Sequence, residues 1–277
     1  MKFEIIGGDL RSVMLAKLLK SGGNEVCGFA LDKAEGIEKC AEILAADCYI
    51  LPLPVEGKKA GVLNAPLSEK EYLVHEILFD IPDGSVVFGG RIKDEAASRG
   101  LEMYDFMKSP AFVVGNAALT AEGAQWLLLN ECDTALYGKR ALIIGYGRIG
   151  RILAQRLRAM NVCVGIMSRN PELRALVGAL GYLPVSPQGD IGGFDLVINT
   201  APGRVLPEGA LSTLGKDSLL LELASAPGGI DKAEAEREKL KFIAAPGLPG
   251  RYSPYSAAKL MHEAIEEVLK EREYGKA

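Results

Sequence analysis

The stretch that decides the fold is Ala141-Leu142-Ile143-Ile144-Gly145-Tyr146-Gly147-Arg148-Ile149-Gly150. An apolar run of strand type leads into the pattern GxGxxG, and a segment with helical spacing of apolar residues follows. In that context the first glycine permits a tight turn, the second lets the backbone approach a pyrophosphate, and the third lets the helix pack against the strand. The N–H groups at the start of the helix would bind the phosphates. We therefore predict a dinucleotide site formed by Gly145, Gly147, Arg148, Ile149 and Gly150; a glycine-rich turn without a ligand is the alternative.

The end of the next strand indicates which dinucleotide is bound. About 20 residues after the glycines, an acidic residue would bond the ribose 2′-hydroxyl of NAD. The chain instead reads Met167-Ser168-Arg169-Asn170. A hydroxyl and a guanidinium suit a 2′-phosphate, so we predict NADP as the cofactor, bound by Ser168 and Arg169. The alternative is that Arg169 is an ordinary solvated arginine.

Three later strand ends are predicted to lie at the nicotinamide end of the cofactor, because ligands of parallel sheets bind outside the carboxyl ends of the strands. One apolar run ends in Asn199-Thr200-Ala201-Pro202, where the nicotinamide ribose is expected. The next two end in Glu222-Leu223-Ala224-Ser225 and in Ala245-Pro246-Gly247-Leu248-Pro249-Gly250, and these two loops are expected to border the nicotinamide. Ordinary turn chemistry is again the alternative. The predicted cofactor-binding residues here are Asn199, Thr200, Ala201, Leu223 and Ala224.

The rest of the chain shows the same alternation of short apolar runs and amphipathic stretches. Before residue 110, five strand-like runs alternate with helical patterns, including predicted helices over 36–45 and 93–99. Such alternation gives parallel strands joined by right-handed crossovers. A long apolar helix is predicted from Asn116 to Cys132, with Thr120 as its N-cap and Glu122 in its first turn.

These patterns predict an α/β protein with two doubly wound parallel-sheet domains. Residues 1–115 are expected to form a flavodoxin-like substrate domain, and residues 116–254 an NADP-binding Rossmann domain. Residues 255–277 are expected to form a helix that packs back on the first domain. The length of 277 residues fits two domains of roughly 150 residues each. We expect the active site in the cleft between the domains.

The composition disfavours several classes of protein. The formal net charge of −4 does not suit a nucleic-acid binder. No apolar run approaches the roughly 18 residues of a membrane span. Glu4 and Asp9 interrupt the first apolar stretch, so we expect no signal peptide and a cytoplasmic protein.

The cysteines and histidines give no sign of a metal site. The five cysteines have no CxxC spacing and lie in apolar contexts, so we predict reduced core thiols. With only two histidines, His75 and His262, no zinc site is expected. The cysteines are Cys27, Cys40, Cys48, Cys132 and Cys163.

Several motifs outside the glycine loop together suggest a family. The most specific is Ala245-Pro246-Gly247-Leu248-Pro249-Gly250 followed by Ser253-Pro254. The others are Gly7-Gly8-Asp9-Leu10-Arg11, Ile50-Leu51-Pro52, Asn116 with Thr120-Ala121-Glu122-Gly123, Asn199-Thr200-Ala201-Pro202, Leu223-Ala224-Ser225 and Pro227-Gly228-Gly229-Ile230-Asp231. In this combination the chain resembles, over nearly its whole length, the A subunits of dipicolinate synthase from spore-forming bacteria.

The resemblance implies a specific activity. It implies NADP-dependent oxidation of a dihydrodipicolinate-type cyclic dicarboxylate, or of its hydroxytetrahydro form, to pyridine-2,6-dicarboxylate during sporulation. It also implies that a flavoprotein-like B subunit is the partner. We further expect a homo-oligomer, with neither nucleic acid nor membrane as a partner.

Two other functions remain open. One is another NADP-dependent oxidoreductase of a small carboxylate, similar to the 2-hydroxyacid dehydrogenases. Those enzymes place an arginine and a histidine where this chain has Ala224-Ser225-Ala226-Pro227 and Ala245-Pro246-Gly247, so both of their catalytic positions are missing. The other is a non-catalytic NADP-binding subunit.

The candidate catalytic residues are chosen as donors and charges for a dianionic substrate, because the reaction needs orientation more than a strong base. Ser253 before Pro254 is typical of a helix N-cap, which would direct a helix N-terminus at an anion or simply cap the helix. Glu122 is either a weak acid or base or a favourable first-turn charge. The candidates are Asn116, Thr120, Glu122, Ser225, Arg251, Ser253 and Ser256. Asp9 and Arg11 are expected either to line the cleft or to pair with each other.

Overall fold

A computed structural model gives the fold for residues 1–92, 100–225 and 227–274. The chain divides into two compact units. Unit 1 comprises Met1–Asn116 together with Pro249–Ala277, and unit 2 comprises Ala117–Leu248. Each unit contains one parallel β-sheet with helices.

Unit 1 contains a five-stranded sheet in the order β2-β1-β3-β4-β5. All its neighbouring strands are parallel, and this order is the one found in flavodoxin. The middle strands are buried on both faces, which their near-continuous apolar sequences require. The strands are β1 (Lys2–Ile6), β2 (Glu25–Phe29), β3 (Cys48–Ile50), β4 (Val86–Gly89) and β5 (Glu102–Asp105).

The last helix of the chain completes the core of unit 1. The helices of this unit are α1 (Leu10–Ser21), α2 (Val74–Asp80), the first part of α3 (Pro110–Glu131) and α8 (Pro254–Tyr274). Helix α8 packs on α1, and Met261 and Ile265 are buried in one cluster with Leu15 and Leu19. Full burial of such side chains is worth about 1.5–3 kcal/mol each. The fold of unit 1 therefore depends on both ends of the sequence.

Unit 2 contains a six-stranded parallel sheet in the order β11-β10-β9-β6-β7-β8. In chain order this is the doubly wound 3-2-1-4-5-6 arrangement of dinucleotide-binding folds. The strands are β6 (Arg140–Ile144), β7 (Cys163–Met167), β8 (Leu183–Val185), β9 (Leu196–Asn199), β10 (Leu219–Glu222) and β11 (Lys241–Ala244). The helices of this unit are the remainder of α3, α4 (Arg148–Ala159), α5 (Pro171–Ala179) and α6 (Lys232–Arg237). Helix α7 (Leu248–Tyr252) begins at the last residue of unit 2 and otherwise belongs to unit 1. The predicted fold class of two doubly wound parallel-sheet domains is confirmed.

Two predictions are wrong: the N-cap of α3 and the helix over residues 36–45. Helix α3 begins at Pro110, where Ser109 Oγ accepts the N–H of Phe112, so Thr120 lies inside the helix and is not its N-cap. Residues 36–45 are not helical, because this segment runs beside the edge of β2 and Cys40 N–H donates to Gly28 O at 3.0 Å. The helix predicted over 93–99 lies outside the described residues. Within the described ranges, no helix is both long enough and apolar enough to span a membrane.

The prediction of five reduced core thiols is also wrong. Cys27 in β2 forms a disulfide with Cys40. Cys40 lies close enough because residues 36–45 run beside β2. Cys163 is exposed, and Cys132 is half-buried. Cys48 is buried and free, and its burial raises the pKa of its thiol to about 11. The apolar sequence context of the cysteines did not reveal which of them would be neighbours in space.

Candidate functional site

The glycine loop of unit 2 joins β6 to α4 in a tight turn. Gly145 has a φ of 92°, a left-handed conformation that disfavours residues with a side chain. A Cβ at Gly150 would lie 2.5 Å from Gly145 O, so only glycine fits there without displacing the turn. Thr200 Oγ1 donates to Ile144 O at 3.0 Å and fixes the end of β6. The loop thus holds α4 close against the sheet.

The first turn of α4 is open to a ligand. Gly147 occupies the N-cap position, and no side chain caps the helix. The first backbone bond of the helix is from Arg151 N–H to Gly147 O at 2.9 Å, so the preceding N–H groups have no partner within the helix. A Cβ at Gly147 would meet no described atom within 4 Å. Arg148 and Arg151 are the charged side chains of this turn, and both are exposed. These residues suit an anion such as a pyrophosphate.

The segment after β7 carries the predicted 2′-phosphate ligands. Ser168 Oγ accepts the N–H of Asn170 at 3.1 Å, and Asn170 caps α5. The exposed Arg169 side chain donates through Nη2 to Arg204 O. Arg174 stabilises this turn, because its Nη1 donates to Ser168 O at 2.8 Å and to Arg169 O at 2.9 Å. Sequence reasoning missed Arg174. The signal that could have revealed it is the presence of a basic residue five positions after Arg169.

At the carboxyl end of β9, Asn199 is fully buried. Its Nδ2 donates to Ala201 O at 2.8 Å and to Glu222 Oε1 at 2.7 Å, and its Oδ1 accepts the N–H of Ala201 at 3.2 Å. Both amide hydrogens are therefore used inside the chain. Asn199 therefore fixes the start of the loop after β9, and its predicted cofactor role stays a prediction. Thr200 and Ala201 are half-buried, and their cofactor role stays a prediction, as does that of Leu223 and Ala224.

Glu222 is a functional candidate that sequence reasoning missed. It ends β10, is only 5% exposed, and accepts four hydrogen bonds. A carboxylate at the last position of an otherwise apolar strand, LLLE, is the signal that could have revealed it.

The seven candidate catalytic residues have different environments. In unit 2, Thr120 is buried within α3, and the Glu122 side chain is 65% exposed and lies 3.5 Å from Arg156 Nη1. Glu122 therefore takes part in an ordinary surface ion pair, which is worth about 0–1 kcal/mol. Ser225 is exposed in the loop after β10.

The other candidates lie in unit 1. Asn116 is half-buried in α3, and Ser253 directly precedes α8, with its carbonyl accepting the N–H of Ala257 at 2.9 Å. Arg251 and Ser256 are exposed, and the Arg251 guanidinium lies 5.3 Å from the ring centre of Tyr252. A catalytic role for all seven residues stays a prediction.

Asp9 and Arg11 pair with each other at the carboxyl end of β1. Arg11 Nη2 lies 2.8 Å from Asp9 Oδ2, Arg11 Nε lies 2.9 Å from Asp9 Oδ1, and Arg11 also donates to Leu53 O. Gly250 approaches the pair so closely that a Cβ there would collide with Asp9 Oδ2. In a sheet of order 2-1-3-4-5, this crevice between β1 and β3 is where ligands usually bind. Among the described residues no cluster of three or more metal-ligating side chains occurs.

Comparison with known proteins gives concordant results along the chain. A family model, that of the N-terminal domain of the dipicolinate synthase A subunit, matches residues 2–107. The A subunit of dipicolinate synthase from Bacillus subtilis (strain 168) is 26% identical over an alignment of 287 positions. The alignment covers 98% of this chain and 96% of that protein. The chain resembles the A subunit of dipicolinate synthase along its full length. The resemblance inferred from the motifs is thereby confirmed.

Solved structures agree with this result. The crystal structure of dipicolinate synthase, A chain, from Bacillus subtilis matches with a TM-score of 0.80 at 26% identity, covering 99% of this chain and 97% of that one. A transhydrogenase from Sinorhizobium meliloti matches with a TM-score of 0.68 at 19% identity, covering 97% of this chain and 94% of that one. The second likeness shows a shared fold.

Proposed function

We propose that this chain is the dehydrogenase subunit of a dipicolinate synthase. It oxidises a dihydrodipicolinate-type cyclic dicarboxylate to pyridine-2,6-dicarboxylate with NADP⁺. The observation that carries the proposal is the full-length similarity to the A subunit of dipicolinate synthase. The open first turn of α4 supports it, since that turn suits a dinucleotide pyrophosphate.

The residues of unit 2 fit a nicotinamide nucleotide. The Gly145–Gly150 turn would hold the pyrophosphate, and Ser168 with Arg169 would bind the 2′-phosphate that distinguishes NADP from NAD. Arg174 would hold that turn in place through Ser168 O and Arg169 O. The loops after β9 and β10 would border the nicotinamide.

The reaction removes one hydride and one proton from the ring carbons of the substrate. NADP⁺, when bound, would supply the hydride acceptor, and the proton would leave to solvent or to a side chain. The products are pyridine-2,6-dicarboxylate, NADPH and a proton, so atoms and charge balance. Because the product ring is aromatic, the protein's main task is to hold the dianion in the reactive orientation.

The substrate carboxylates need hydrogen-bond donors and positive charge. The exposed guanidinium of Arg251 and the hydroxyls of Ser225, Ser253 and Ser256 would supply them. Asn116 and Thr120 are further donors on α3. A flavoprotein-like B subunit is proposed as the partner, and the reaction is proposed to take place in the cytoplasm of a sporulating cell.

An absorbance assay tests the proposal. The purified chain and NADP⁺ are mixed with freshly generated dihydrodipicolinate, with and without the B subunit. Growth of both the pyridine-dicarboxylate band and the NADPH band is the expected result. No change in either band under both conditions would sink the proposal.

The same assay separates the two alternative functions. Turnover of hydroxy or amino acids, without turnover of dihydrodipicolinate, would indicate a different NADP-dependent oxidoreductase. NADP binding without any turnover, even with the B subunit present, would indicate a non-catalytic subunit. The absence of the catalytic arginine and histidine of 2-hydroxyacid dehydrogenases disfavours the first.

A further inference from the structure

The carboxylate of Glu222 is buried at the carboxyl end of β10 and surrounded by donors. Its Oε1 accepts from Asn199 Nδ2 at 2.7 Å and from Ala224 N–H at 2.9 Å. Its Oε2 accepts from Gly229 N–H at 2.8 Å and from Ile230 N–H at 2.9 Å. All four bonds require an acceptor on Glu222, and an ionised carboxylate offers acceptors on both oxygens.

The backbone around this carboxylate can approach only because it carries glycine. Gly228 has a φ of 78°, and a Cβ there would lie 2.9 Å from Glu222 Oε2. A Cβ at Gly229 would lie 2.5 Å from Asn199 Nδ2. The Gly228-Gly229 pair thus closes the segment after β10 onto Glu222 and Asn199.

One side chain therefore connects two strand ends. Through Asn199, which also bonds both backbone groups of Ala201, Glu222 fixes the start of the loop after β9. Through its bonds to Ala224, Gly229 and Ile230, it fixes both ends of the loop after β10. These are the two loops that the proposed function assigns to the nicotinamide.

We propose that Glu222 is a positioning residue for hydride transfer. It holds the loops after β9 and β10 in the conformation that orients the nicotinamide end of NADP, while touching neither cofactor nor substrate. This inference rests on the proposed function. A carboxamide cannot replace the carboxylate, because its NH₂ group would face two N–H donors whichever way it is turned.

The test compares Glu222→Gln with Asp195→Asn. Asp195 is the control, because it is a half-buried carboxylate of unit 2 that also accepts a backbone N–H, that of Arg140, at 2.7 Å. It lies at the amino end of β9, at the opposite end of the strand from both loops. Both substitutions are isosteric, and each removes one hydrogen-bonded carboxylate.

The kinetic readout separates positioning from stability. We expect Glu222→Gln to lower kcat about ten- to hundredfold, which is the effect of a misplacement on the scale of 1 Å. The Kd for NADPH should change little, because the Gly145–Gly150 and Ser168–Arg169 contacts are unaltered. Asp195→Asn should leave kcat near that of the wild type. If kcat is equal in the two variants at a temperature where both are folded, the proposal is wrong.

Hydrogen exchange tests the loop contacts without turnover. The amides of Ala224, Gly229 and Ile230 should exchange faster in Glu222→Gln than in the wild type. In Asp195→Asn their exchange rates should equal those of the wild type. Addition of NADP⁺ should slow exchange in both loops of the wild type. Unchanged exchange in Glu222→Gln, or loops insensitive to NADP⁺, would overturn the inference. A wild type that binds NADP⁺ but turns over no substrate would instead refute the proposed activity and leave these measurements interpretable.

Discussion

Arg169 is the side chain on which the proposed choice of NADP over NAD rests. It follows β7 at the place where NAD-binding chains carry an acidic residue. In the structure its Nη2 donates to a backbone carbonyl, and the turn beneath it is held by Arg174. The guanidinium is therefore located by the protein before any ligand binds, which lowers the entropic cost of binding a phosphate.

We expect Arg169→Asp to reverse the cofactor preference. The substitution removes the cation that would pair with the 2′-phosphate and supplies a carboxylate for the ribose hydroxyls of NAD. The Kd for NADPH should rise at least tenfold, which corresponds to about 1.4 kcal/mol. Fluorescence titration with NADPH and NADH measures both affinities.

Arg237→Asp is the matched control for Arg169→Asp. It makes the same change in net charge at the exposed last turn of α6. Its affinity for NADPH should equal that of the wild type. Unchanged NADPH affinity in Arg169→Asp would remove that residue from the 2′-phosphate site.

Glu4 should make the stability of the protein depend on pH. The side chain is 1% exposed in β1, and burial raises the pKa of its carboxyl from 4.5 to about 7. Between these values the folded chain keeps the proton and the unfolded chain loses it. The free energy of unfolding therefore falls as the pH rises from 4.5 to 7, by about 2–3 kcal/mol from this group.

Glu4→Gln removes this titration and should stabilise the protein more at pH 8 than at pH 5. Urea unfolding at the two pH values, followed by circular dichroism, measures the difference. Glu25→Gln on the neighbouring strand is the control, because the Glu25 side chain is 75% exposed. Equal effects of Glu4→Gln at both pH values would contradict the raised pKa.

Single residues were predicted unevenly from the sequence. Gly145 and Gly150 were predicted with their conformational reasons, because backbone geometry at a strand-to-helix turn is a local property. Thr120 was given a capping role that the structure contradicts, since the start of α3 is determined by Ser109 and Pro110. Glu222 was missed because its bond to Asn199 joins two strand ends that only the folded sheet brings together. Its other three partners lie within eight residues of it, but they are backbone N–H groups, which the residue types do not reveal.

Among the elements, the turn between β6 and α4 allows a matched pair of substitutions. Gly147→Ala places a methyl group where no described atom lies within 4 Å, at a φ of −76° that alanine tolerates. Gly150→Ala places one 2.5 Å from Gly145 O. We expect Gly147→Ala to keep its melting temperature within a few degrees of the wild type and to lose NADPH affinity. Gly150→Ala should have both a lower melting temperature and a lower NADPH affinity.

Calorimetry and NADPH titration of the two glycine variants distinguish a ligand site from a structural turn. Normal NADPH affinity in a folded Gly147→Ala variant would show that no pyrophosphate approaches that residue. Normal stability of Gly150→Ala would show that the contact with Gly145 O is relieved at little cost.

Elements with a strong local pattern were predicted well, and those determined by tertiary pairing were not. The helical spacing after the glycine loop predicts a helix there, and α4 occupies Arg148–Ala159. Residues 36–45 have apolar residues at helical spacing, but their backbone bonds to Gly28 and the Cys27–Cys40 disulfide hold them along β2. Intrinsic helical preference is worth only tenths of a kcal/mol per residue, so such contacts override it.

At the level of the whole molecule, the two doubly wound sheets were predictable because alternating strands and helices allow few topologies. The composition of unit 1 from two distant segments was anticipated only through the last helix. The pattern of apolar residues in α8 indicates that this helix packs against another surface. Only the structure shows that Met261 and Ile265 are buried against α1. The predicted location of the substrate stays a prediction.

The two-segment core of unit 1 predicts how fragments behave. Residues 1–116 alone lack the buried side chains of α8 and should fail to unfold cooperatively on heating. The same residues joined by a flexible linker to 249–277 should regain a cooperative transition. Residues 117–248 should fold alone, since they hold a complete sheet. A sharp melting transition of residues 1–116 by themselves would refute the prediction.

The position of α8 also sets the order in which the protein is completed on the ribosome. The whole of unit 2 is translated between the sheet of unit 1 and the helix that closes its core. At a synthesis rate of about 5–20 residues per second, the apolar face of α1 stays uncovered for on the order of ten seconds before α8 is synthesised. During that interval the nascent chain exposes an apolar surface of the kind that makes folding intermediates prone to aggregation. A chain truncated just before residue 254 would contain the whole of unit 2 and a unit 1 that lacks the helix completing its core.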